Sequence, residues 1–279
     1  MVRNAAGFEA NLQSLKAQYA SAEPFPHVVI DNFLESEVSA RAAAEFAELD
    51  PGHWIGYVHV NEKKFSNPRT DTWGPTLQSV AQALNSPDFI RLLTELTGIK
   101  GLIADDAMEG GGLHKSLTGG FLNIHADFTV HPLRPTWRRR VNLLLYFNQE
   151  WPTAYGGELE LWSSDMKRCE KSISPIANRA VIFSTERDSF HGHPEPLRGP
   201  QGIARKSLAL YYFTVEDRPE VRSTEYRPRP GEGIRGIPIF LDKHVLRIYD
   251  RMKRRLGISD QRMDQLIRRI KRPPGGRKP

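Results

Sequence analysis

A histidine and an aspartate stand two positions apart in the segment LNIHADF, residues 122–128, which is otherwise apolar and typical of a β-strand. Alternate residues of a strand project from the same face, so we expect the side chains of His125 and Asp127 to lie about 7 Å apart on one face. A buried carboxylate without a partner is destabilising, and a metal ion would supply the missing positive charge. The pair therefore predicts part of a metal site.

A second histidine must come from another strand. The segment SFHGHPEPL, residues 189–197, offers His191 and His193, which alternate onto one face. We expect His191 to be the ligand, because it directly follows the apolar step that continues the strand RAVIFST, whereas His193 stands against Pro194 where the loop begins. Two imidazoles and one carboxylate on one face of an ion, with the other positions open, are the ligand set of non-haem Fe(II) oxygenases.

A binding site for a carboxylate is predicted from a further strand. Arg205 follows His191 by fourteen residues and opens the segment RKSLALYYFTV, in which Ser207 shares its strand face. A guanidinium binds a carboxylate through two hydrogen bonds, and the hydroxyl can add another. In the segment RRRVNLLLYFN, Tyr146 could add a third bond to that carboxylate, and Asn142 shares the strand face of Tyr146.

Three helices are predicted before residue 100. Apolar residues at helical spacing mark the first over residues 8–19, and Ser36 is the predicted N-cap of the second, which follows the strand HVVI. The third lies in NSPDFIRLLTELTGI: Ser86 caps it, Pro87 takes the first helical position, and Gly98 follows the last turn.

From residue 101 the pattern changes to short β runs separated by turns, with no helical pattern between them that could make a parallel crossover. Such a series predicts an antiparallel jelly roll. The glycine-rich stretch 108–120 lacks the spacing of a phosphate-binding loop, and we interpret it as a mobile connection that could close over the site as a lid.

The positive charge is concentrated at the C-terminus. The net charge is +6, yet residues 243–279 carry 13 Lys and Arg against 3 Asp and Glu, which leaves an acidic main body. This distribution argues against a nucleic-acid groove across the fold. The tail predicts two helices, 241–256 and 259–271, which could dock on the core or pair with a second subunit to form a homodimer.

The remaining composition favours a soluble, cytoplasmic protein. The sequence contains no apolar stretch of about 18 residues that would predict a transmembrane helix, and no secretory signal pattern. The single cysteine, Cys169, cannot form an internal disulfide, and we assign it no role.

Taken in order, the motifs resemble the Fe(II)/2-oxoglutarate-dependent dioxygenase superfamily, and most closely its prolyl-4-hydroxylase-like branch. The residues that carry the resemblance are HAD at 125–127, RVNLLLYFNQEW at 140–151, YGGELELW at 155–162, ISPIANRAVIFST at 173–185, SFHGHPEPL at 189–197 and ARKSLALYYF at 204–213.

The resemblance implies a fold of the α+β class, mainly β: a double-stranded β-helix, or jelly roll, with N-terminal helices packed on one sheet and a C-terminal helical extension. The sequence patterns divide the chain into three predicted regions: a helical and strand region at 1–100, the oxygenase core at 101–218, and a basic linker and helical tail at 219–279. The resemblance also implies that iron is bound by His125, Asp127 and His191, that Arg205 pairs with the distal carboxylate of 2-oxoglutarate, and that Tyr146 hydrogen-bonds it. Ser207 matches a pattern of some branches.

The implied reaction consumes O2 and 2-oxoglutarate, releases succinate and CO2, and hydroxylates an unactivated C–H bond of a small molecule that contains an amino acid, a peptide or a sugar. Asp127 favours hydroxylation over halogenation, and desaturation or ring formation stays open. The alternative is hydroxylation of a prolyl residue in a protein. A nucleic-acid demethylase and a non-catalytic jelly-roll binding module are weaker hypotheses. A peptide groove would favour the protein substrate, and a pocket closed by residues 105–120 would favour the small molecule.

Other polar and aromatic residues near these motifs have alternative roles. Arg139 or Arg140 could meet an anionic substrate at the mouth of the site, or form a solvated basic edge. His114 and His131 are expected in loops, where a histidine is usually solvated. Three tryptophans are interpreted as packing residues: Trp137, Trp151 and Trp162.

Overall fold

The computed structural model describes residues 5–233, and the predicted tail helices lie outside this range. Within it, four α-helices precede most of the strands: α1 (Ala5–Ser21), α2 (Ser36–Glu48), α3 (Pro75–Leu84) and α4 (Pro87–Thr97). None of the helices in the described part of the chain is long and apolar enough to cross a membrane.

The helix ends follow the sequence signals at α4 and depart from them at α2. The Ser86 hydroxyl accepts a hydrogen bond from the backbone N–H of Phe89, and Gly98 ends α4 with a positive φ of 73°, as predicted. The prediction of Ser36 as an N-cap is wrong, because Ser36 is already helical and Glu35 precedes the helix without a side-chain cap bond. Helix α3 was not predicted from the sequence.

Thirteen strands lie within the described residues. They are β1 (His27–Ile30), β2 (Ile55–His59), β3 (Glu62–Asn67), β4 (Ile103–Ala104), β5 (Gly112–Leu117), β6 (Phe121–Ala126), β7 (Trp137–Tyr146), β8 (Leu159–Trp162), β9 (Cys169–Ile173), β10 (Ala180–Ser184), β11 (His191–His193), β12 (Ala204–Val215) and β13 (Glu225–Tyr226).

The strands form one curled antiparallel sheet. Ten of them follow the order β1-β10-β7-β12-β5-β3-β6-β11-β8-β9, and β2, β4 and β13 pair off this path with β3, β12 and β6, respectively. One half of this path, from β1 to β5, faces the other half, from β6 to β9, and β3 joins the two by pairing with both β5 and β6. This arrangement is the jelly roll that the sequence predicts. The division into three regions along the chain stays a prediction.

The two faces of β7 show how the core and the site are separated. Val141, Leu143 and Leu145 are fully buried in the apolar cluster that includes the helices, while Asn142 and Tyr146 project from the opposite face into the jelly roll. The helices therefore pack on the outer face of the β7 half of the sheet, and the inner face is left for polar chemistry.

A β-bulge interrupts this alternation at the start of β7. Val141 pairs with Tyr212 and Arg139 pairs with Phe213, so Arg140 is the extra residue in the ladder. The shift brings the side chains of Arg139 and Asn142, three residues apart, onto the same inner face, where they hydrogen-bond to each other.

The interpretation of residues 108–120 as a mobile lid is wrong. Residues 112–117 are strand β5, which lies inside the sheet between β12 and β3. Gly112 has a φ of 93°, and a Cβ at this position would come within 2.7 Å of the Asn67 carbonyl oxygen, so the glycine allows close strand contact. Glycine in this segment serves backbone packing, and the segment is a wall of the jelly roll.

Candidate active site

Three side chains meet at one end of the jelly roll. His125 on β6 and His191 on β11 are directly paired across the two strands, and Asp127 follows β6. Nε2 of His125 lies 3.6 Å from Oδ1 of Asp127, and Nε2 of His191 lies 3.5 Å from Oδ2. One ligand atom from each residue lies within 4.8 Å of the others, which is a spacing that can hold a metal ion. The structure thus brings together the three residues that the sequence singled out.

Both histidines present the same nitrogen to this point. Nδ1 of His125 hydrogen-bonds to the Asn123 carbonyl oxygen, and Nδ1 of His191 bonds to the Ser189 carbonyl oxygen, each at 2.9 Å. Because a carbonyl oxygen only accepts, Nδ1 is the donor in each ring, and in a neutral imidazole Nε2 then keeps its lone pair. Such bonds orient imidazoles at metal sites, so the donor set fits a divalent ion.

The protonation states also suit metal binding. Burial lowers the pKa of His191 to about 4 against the opposing effect of Asp127. Burial alone would raise the pKa of Asp127, but Arg139 and the two histidines outweigh burial and hold that pKa well below its usual range. At neutral pH the site therefore offers a neutral imidazole at His191 and an ionised carboxylate.

Arg205 is the buried cation on the opposite side of the same cavity. Its Nε donates to the Gly157 carbonyl oxygen at 2.6 Å, and its Nη2 donates to the Tyr146 hydroxyl at 3.0 Å. Gly157 has a φ of 82°, and a Cβ there would lie 3.1 Å from Cδ of Arg205, which explains a glycine beside the guanidinium. Burial raises the pKa of the Tyr146 phenol, although Arg205 opposes the shift, so Tyr146 stays a neutral partner.

One cavity of about 90 Å3 connects the three metal-type ligands to Arg205. A water needs roughly 10–15 Å3 of such space, so the cavity suits a short organic acid rather than a polymer. Its lining residues are Lys64, His114, Lys115, Ser116, Leu122, His125, Asp127, Arg139, Asn142, Leu144, Leu159, His191, Gly192, His193, Arg205, Ser207, Ala209 and Tyr211.

The remaining predicted cofactor-binding residues occupy different places. Ser207 lines the cavity two residues from Arg205. Tyr146 lies behind the guanidinium and contacts it through its hydroxyl. Asn142 lies beside the other arginine: its amide donates to Asp127 and accepts from Arg139. The sequence placed Asn142 on the face of Tyr146, which is right, but the bulge gives Asn142 a separate partner.

The interpretation of Arg139 and Arg140 as residues at the mouth of the site holds for neither. Arg139 is 2% exposed, and its Nη2 lies 2.9 Å from Oδ2 of Asp127, so it is a buried ion-pair partner. Arg140 points away from the cavity to Glu186 and Glu216, each at 3.7 Å. The bulge at this position directs the adjacent arginines to different environments.

The expected loop histidines are also placed differently. His114 lies on β5 and lines the cavity, where burial and Lys64 lower its pKa to about 3. His131 is buried and bonds to Asp105 at 3.2 Å, so its role is structural. His193 was expected at the start of a loop, yet it is the last residue of β11 and is buried in the cavity wall.

The three tryptophans make packing contacts. Trp137 lies against His131 and Phe213, and the indole N–H of Trp151 donates to the Gly156 carbonyl oxygen. Trp162 is buried beside Ile124 and Phe190. None of the three lines the cavity.

Lys64 and Tyr211 are among the cavity residues that the sequence analysis missed. Lys64, on β3, lies inside the cavity and pairs with Glu62 at 2.9 Å, and Tyr211, on β12, stacks on Arg139. The signal for Tyr211 was available, since it lies on the strand face of Arg205. The polar sequence EKKFSN of β3 gave no apolar alternation from which a strand could be predicted.

Comparison with known proteins agrees with this geometry. Residues 111–213 match the family model of the 2OG-Fe(II) oxygenase superfamily, and this range contains the whole triad and Arg205. None of the curated proteins matches the chain.

Solved structures share the fold. A prolyl-4-hydroxylase from Pseudomonas putida aligns with a TM-score of 0.53 at 20% identity, covering 73% of this chain and 99% of that chain. A prolyl hydroxylase from Trichoplax adhaerens, solved with a peptide fragment of the hypoxia inducible factor oxygen degradation domain, aligns with a TM-score of 0.54 at 19% identity, covering 76% and 94%.

The chain matches the model of the 2OG-Fe(II) oxygenase superfamily through residues 111–213, and its fold is similar to that of prolyl-4-hydroxylases. It is an Fe(II)- and 2-oxoglutarate-dependent dioxygenase that uses O2 as its second co-substrate. The resemblance inferred from the sequence motifs is confirmed.

Proposed function

We propose that His125, Asp127 and His191 bind one Fe(II) and that Arg205 binds the distal carboxylate of 2-oxoglutarate. The observation that carries this proposal is the shared cavity, which has the three ligand atoms at one side and a buried guanidinium at the other. When bound, the iron supplies the oxidative chemistry that converts 2-oxoglutarate and O2 to succinate and CO2 and hydroxylates a C–H bond.

The roles of the surrounding residues follow from their contacts. Tyr146 and the Gly157 carbonyl hold the Arg205 guanidinium in one orientation, so the side chain is ready for a bidentate pair with a carboxylate. Ser207 adds a hydroxyl to the same end of the cavity. The apolar side chains Leu122, Leu144 and Leu159 border the space between the two ends and keep its local dielectric low.

The substrate that we propose is a small molecule containing an amino acid, a peptide or a sugar. The small volume of the cavity limits the part of the substrate that reaches the metal end beside 2-oxoglutarate to a short group. Of segment 105–120, residues 114–116 on β5 line the cavity as part of its wall, so this segment does not close the pocket in the way that was expected for a small-molecule substrate. Assignment to the cytoplasm and a homodimer through the C-terminal helices stay predictions.

One observation favours a prolyl residue of a protein as the second candidate substrate. An open groove of about 780 Å3 lies beside Phe190, the residue before His191, and its other side is formed by residues 220–227. Tyr226, between the lining residues Glu225 and Arg227, packs on the His125 ring at 5.3 Å, so the segment that borders the groove also contacts the metal end. A groove of this size could accept an extended peptide.

Anaerobic titration with Fe(II) and 2-oxoglutarate tests the proposed site. We expect a weak visible charge-transfer band in the wild type and none in Asp127→Ala, because the carboxylate ligand is removed. The exposed Cys169 gives a matched control, and Cys169→Ser should keep the band. Absence of a band in the wild type, or its persistence in Asp127→Ala, would contradict the assignment.

Succinate release then separates the two substrate classes. Metabolites of low molecular weight should raise the rate of succinate formation above the rate without added substrate. Stimulation by proline-containing peptides alone would favour the protein hydroxylase.

A further inference from the structure

The two oxygens of the Asp127 carboxylate have different surroundings. Oδ2 accepts a hydrogen bond from the Asn142 amide at 2.8 Å and lies 2.9 Å from Nη2 of Arg139. Oδ1 has neither of these donors and lies 3.6 Å from Nε2 of His125. Both oxygens therefore lie near an imidazole of the metal end, since Oδ2 is 3.5 Å from Nε2 of His191, but only Oδ2 is also held by Asn142 and Arg139.

Arg139 and Asn142 are also bonded to each other. Nε of Arg139 donates to the Asn142 side-chain oxygen at 2.8 Å, which completes a closed triangle with Asp127. This bond fixes the orientation of the amide, because its oxygen accepts from Arg139 and its NH2 group must therefore point at Asp127.

Aromatic rings hold the guanidinium in place. Its central carbon lies 3.4 Å from the centre of the Tyr211 ring and 4.7 Å from the centre of the Phe128 ring. Such stacking restricts the side chain to one plane, so that Nη2 and Nε keep their partners.

We propose that Arg139 and Asn142 are positioning residues that hold Oδ2 of Asp127, so that the carboxylate binds the metal through Oδ1 alone. This inference rests on the proposed function of the triad. A carboxylate with both oxygens on the metal would take up a further coordination position. One oxygen leaves three positions open, the number that a chelating 2-oxoacid and O2 together require.

Two other roles for these residues fit the contacts less well. A direct bond from Asn142 to 2-oxoglutarate could use only the second N–H of the amide, because one N–H donates to Asp127 and the oxygen accepts from Arg139. A bond from Arg139 to an anionic substrate would use Nη1, the terminal nitrogen of Arg139 that has no hydrogen-bond partner among the described residues. That atom is buried away from solvent.

Titration of the metal-free protein with Co(II) tests the inference, because the visible spectrum of Co(II) reports both affinity and coordination. We expect Asn142→Ala and Arg139→Met to bind Co(II) about 10–100-fold more weakly than the wild type, the range found when a residue that supports a metal ligand is removed. Arg140→Met is the matched control, since Arg140 is the neighbouring arginine that points away from the cavity. It should bind Co(II) as the wild type does.

A second measurement distinguishes positioning from direct contact with the co-substrate. At saturating Co(II), the dissociation constant of 2-oxoglutarate should be unchanged in Asn142→Ala. Affinity for Co(II) within twofold of the wild type in Asn142→Ala would overturn the inference, and so would a loss confined to 2-oxoglutarate. Asn142→Ala keeps the Arg139–Asp127 ion pair, so the test stands even if Arg139→Met does not fold.

Failure of the underlying proposal would look different. If the wild type bound Co(II) no better than Asp127→Ala, the triad itself would be wrong. If the wild type bound Co(II) and Asp127→Ala did not, while Asn142→Ala matched the wild type, only the positioning role would fail.

Discussion

Two buried arginines line the same cavity, and one has a charged partner whereas the other has only neutral partners. Arg139 pairs with the carboxylate of Asp127, whereas the partners of Arg205 are a carbonyl oxygen and a phenol. Among the described residues, no carboxylate forms an ion pair with Arg205. One positive charge is therefore compensated inside the protein, and the other is not.

The difference separates a structural charge from a charge kept for a ligand. A buried ion pair satisfies both of its members, so removal of one member leaves the other uncompensated. A buried cation with only neutral partners gains most when an anion binds beside it. Lys64 also lines the cavity. Like Arg139, it is a cation whose charge is compensated inside the protein, because it pairs with Glu62.

The largest expected effect is on the stability of the metal-free protein. Arg139→Met should lower the free energy of unfolding by about 3–5 kcal/mol, because Asp127 stays buried without its counterion. Arg205→Met should change it by less than about 1 kcal/mol, since loss of two hydrogen bonds is offset by removal of an uncompensated charge. Chemical denaturation of the metal-free variants measures both values. Equal destabilisation by the two substitutions would contradict the distinction between a structural charge at Arg139 and a charge kept for a ligand at Arg205.

The pH dependence of the free energy of unfolding tests whether Lys64, like Arg139, is compensated by a buried carboxylate. Burial would raise the pKa of Glu62, but Lys64 and His59 outweigh it and lower the pKa to about 2 from 4.5. A depressed carboxyl pKa contributes stability above the unfolded value of 4.5, and that contribution is lost as the pH falls toward 2. We expect Glu62→Gln to be less stable than the wild type by roughly 3 kcal/mol at pH 7.

The difference between the wild type and Glu62→Gln should shrink steadily when urea denaturation is repeated between pH 5 and pH 3. A difference that stays constant over this range would show that Lys64 does not hold the carboxylate in its charged form.

A smaller effect is expected on co-substrate affinity. Arg205→Met should weaken 2-oxoglutarate binding to the metal-loaded protein by roughly 10–100-fold, because a charge-assisted bidentate contact is lost. Arg205→Lys keeps the charge but not the two parallel donors, so it should fall between the wild type and Arg205→Met. Calorimetric titration with Mn(II) in place of iron measures these affinities, and an unchanged value in Arg205→Met would assign the carboxylate site elsewhere.

The smallest effect is expected for the neighbour of Arg139. Arg140 forms its ion pairs with Glu186 and Glu216 at 3.7 Å and is partly exposed to solvent, which screens the interaction. Arg140→Met should therefore change the free energy of unfolding by no more than about 1 kcal/mol. A loss as large as that of Arg139→Met would mean that burial does not separate the two arginines.

The sequence was most informative where strand alternation is regular. His125 on β6 and Asp127 just after this strand share a face, as their spacing predicts, and the structure places His191, which was preferred to His193, beside them. The jelly roll and the caps of α4 follow from equally local signals.

The sequence was less informative where that regularity is interrupted. The bulge at Arg140 changes which residues share a face, so Arg139 could not be placed beside Asp127 by counting alternate positions. Strands β3 and β5 border a polar cavity and carry Lys64, His114 and Ser116, so they lack the apolar pattern of a buried strand. Functional sites are where such departures from local pattern are expected.

A crystal structure of the complex with Mn(II) and 2-oxoglutarate tests the central claim most directly. We predict Mn(II) bound to Nε2 of His125, Nε2 of His191 and Oδ1 of Asp127, with the distal carboxylate of 2-oxoglutarate paired to Arg205 and Oδ2 of Asp127 still bonded to Arg139. A metal bound through Oδ2, or a co-substrate carboxylate paired with Arg139 in place of Arg205, would contradict the distinction between the two arginines.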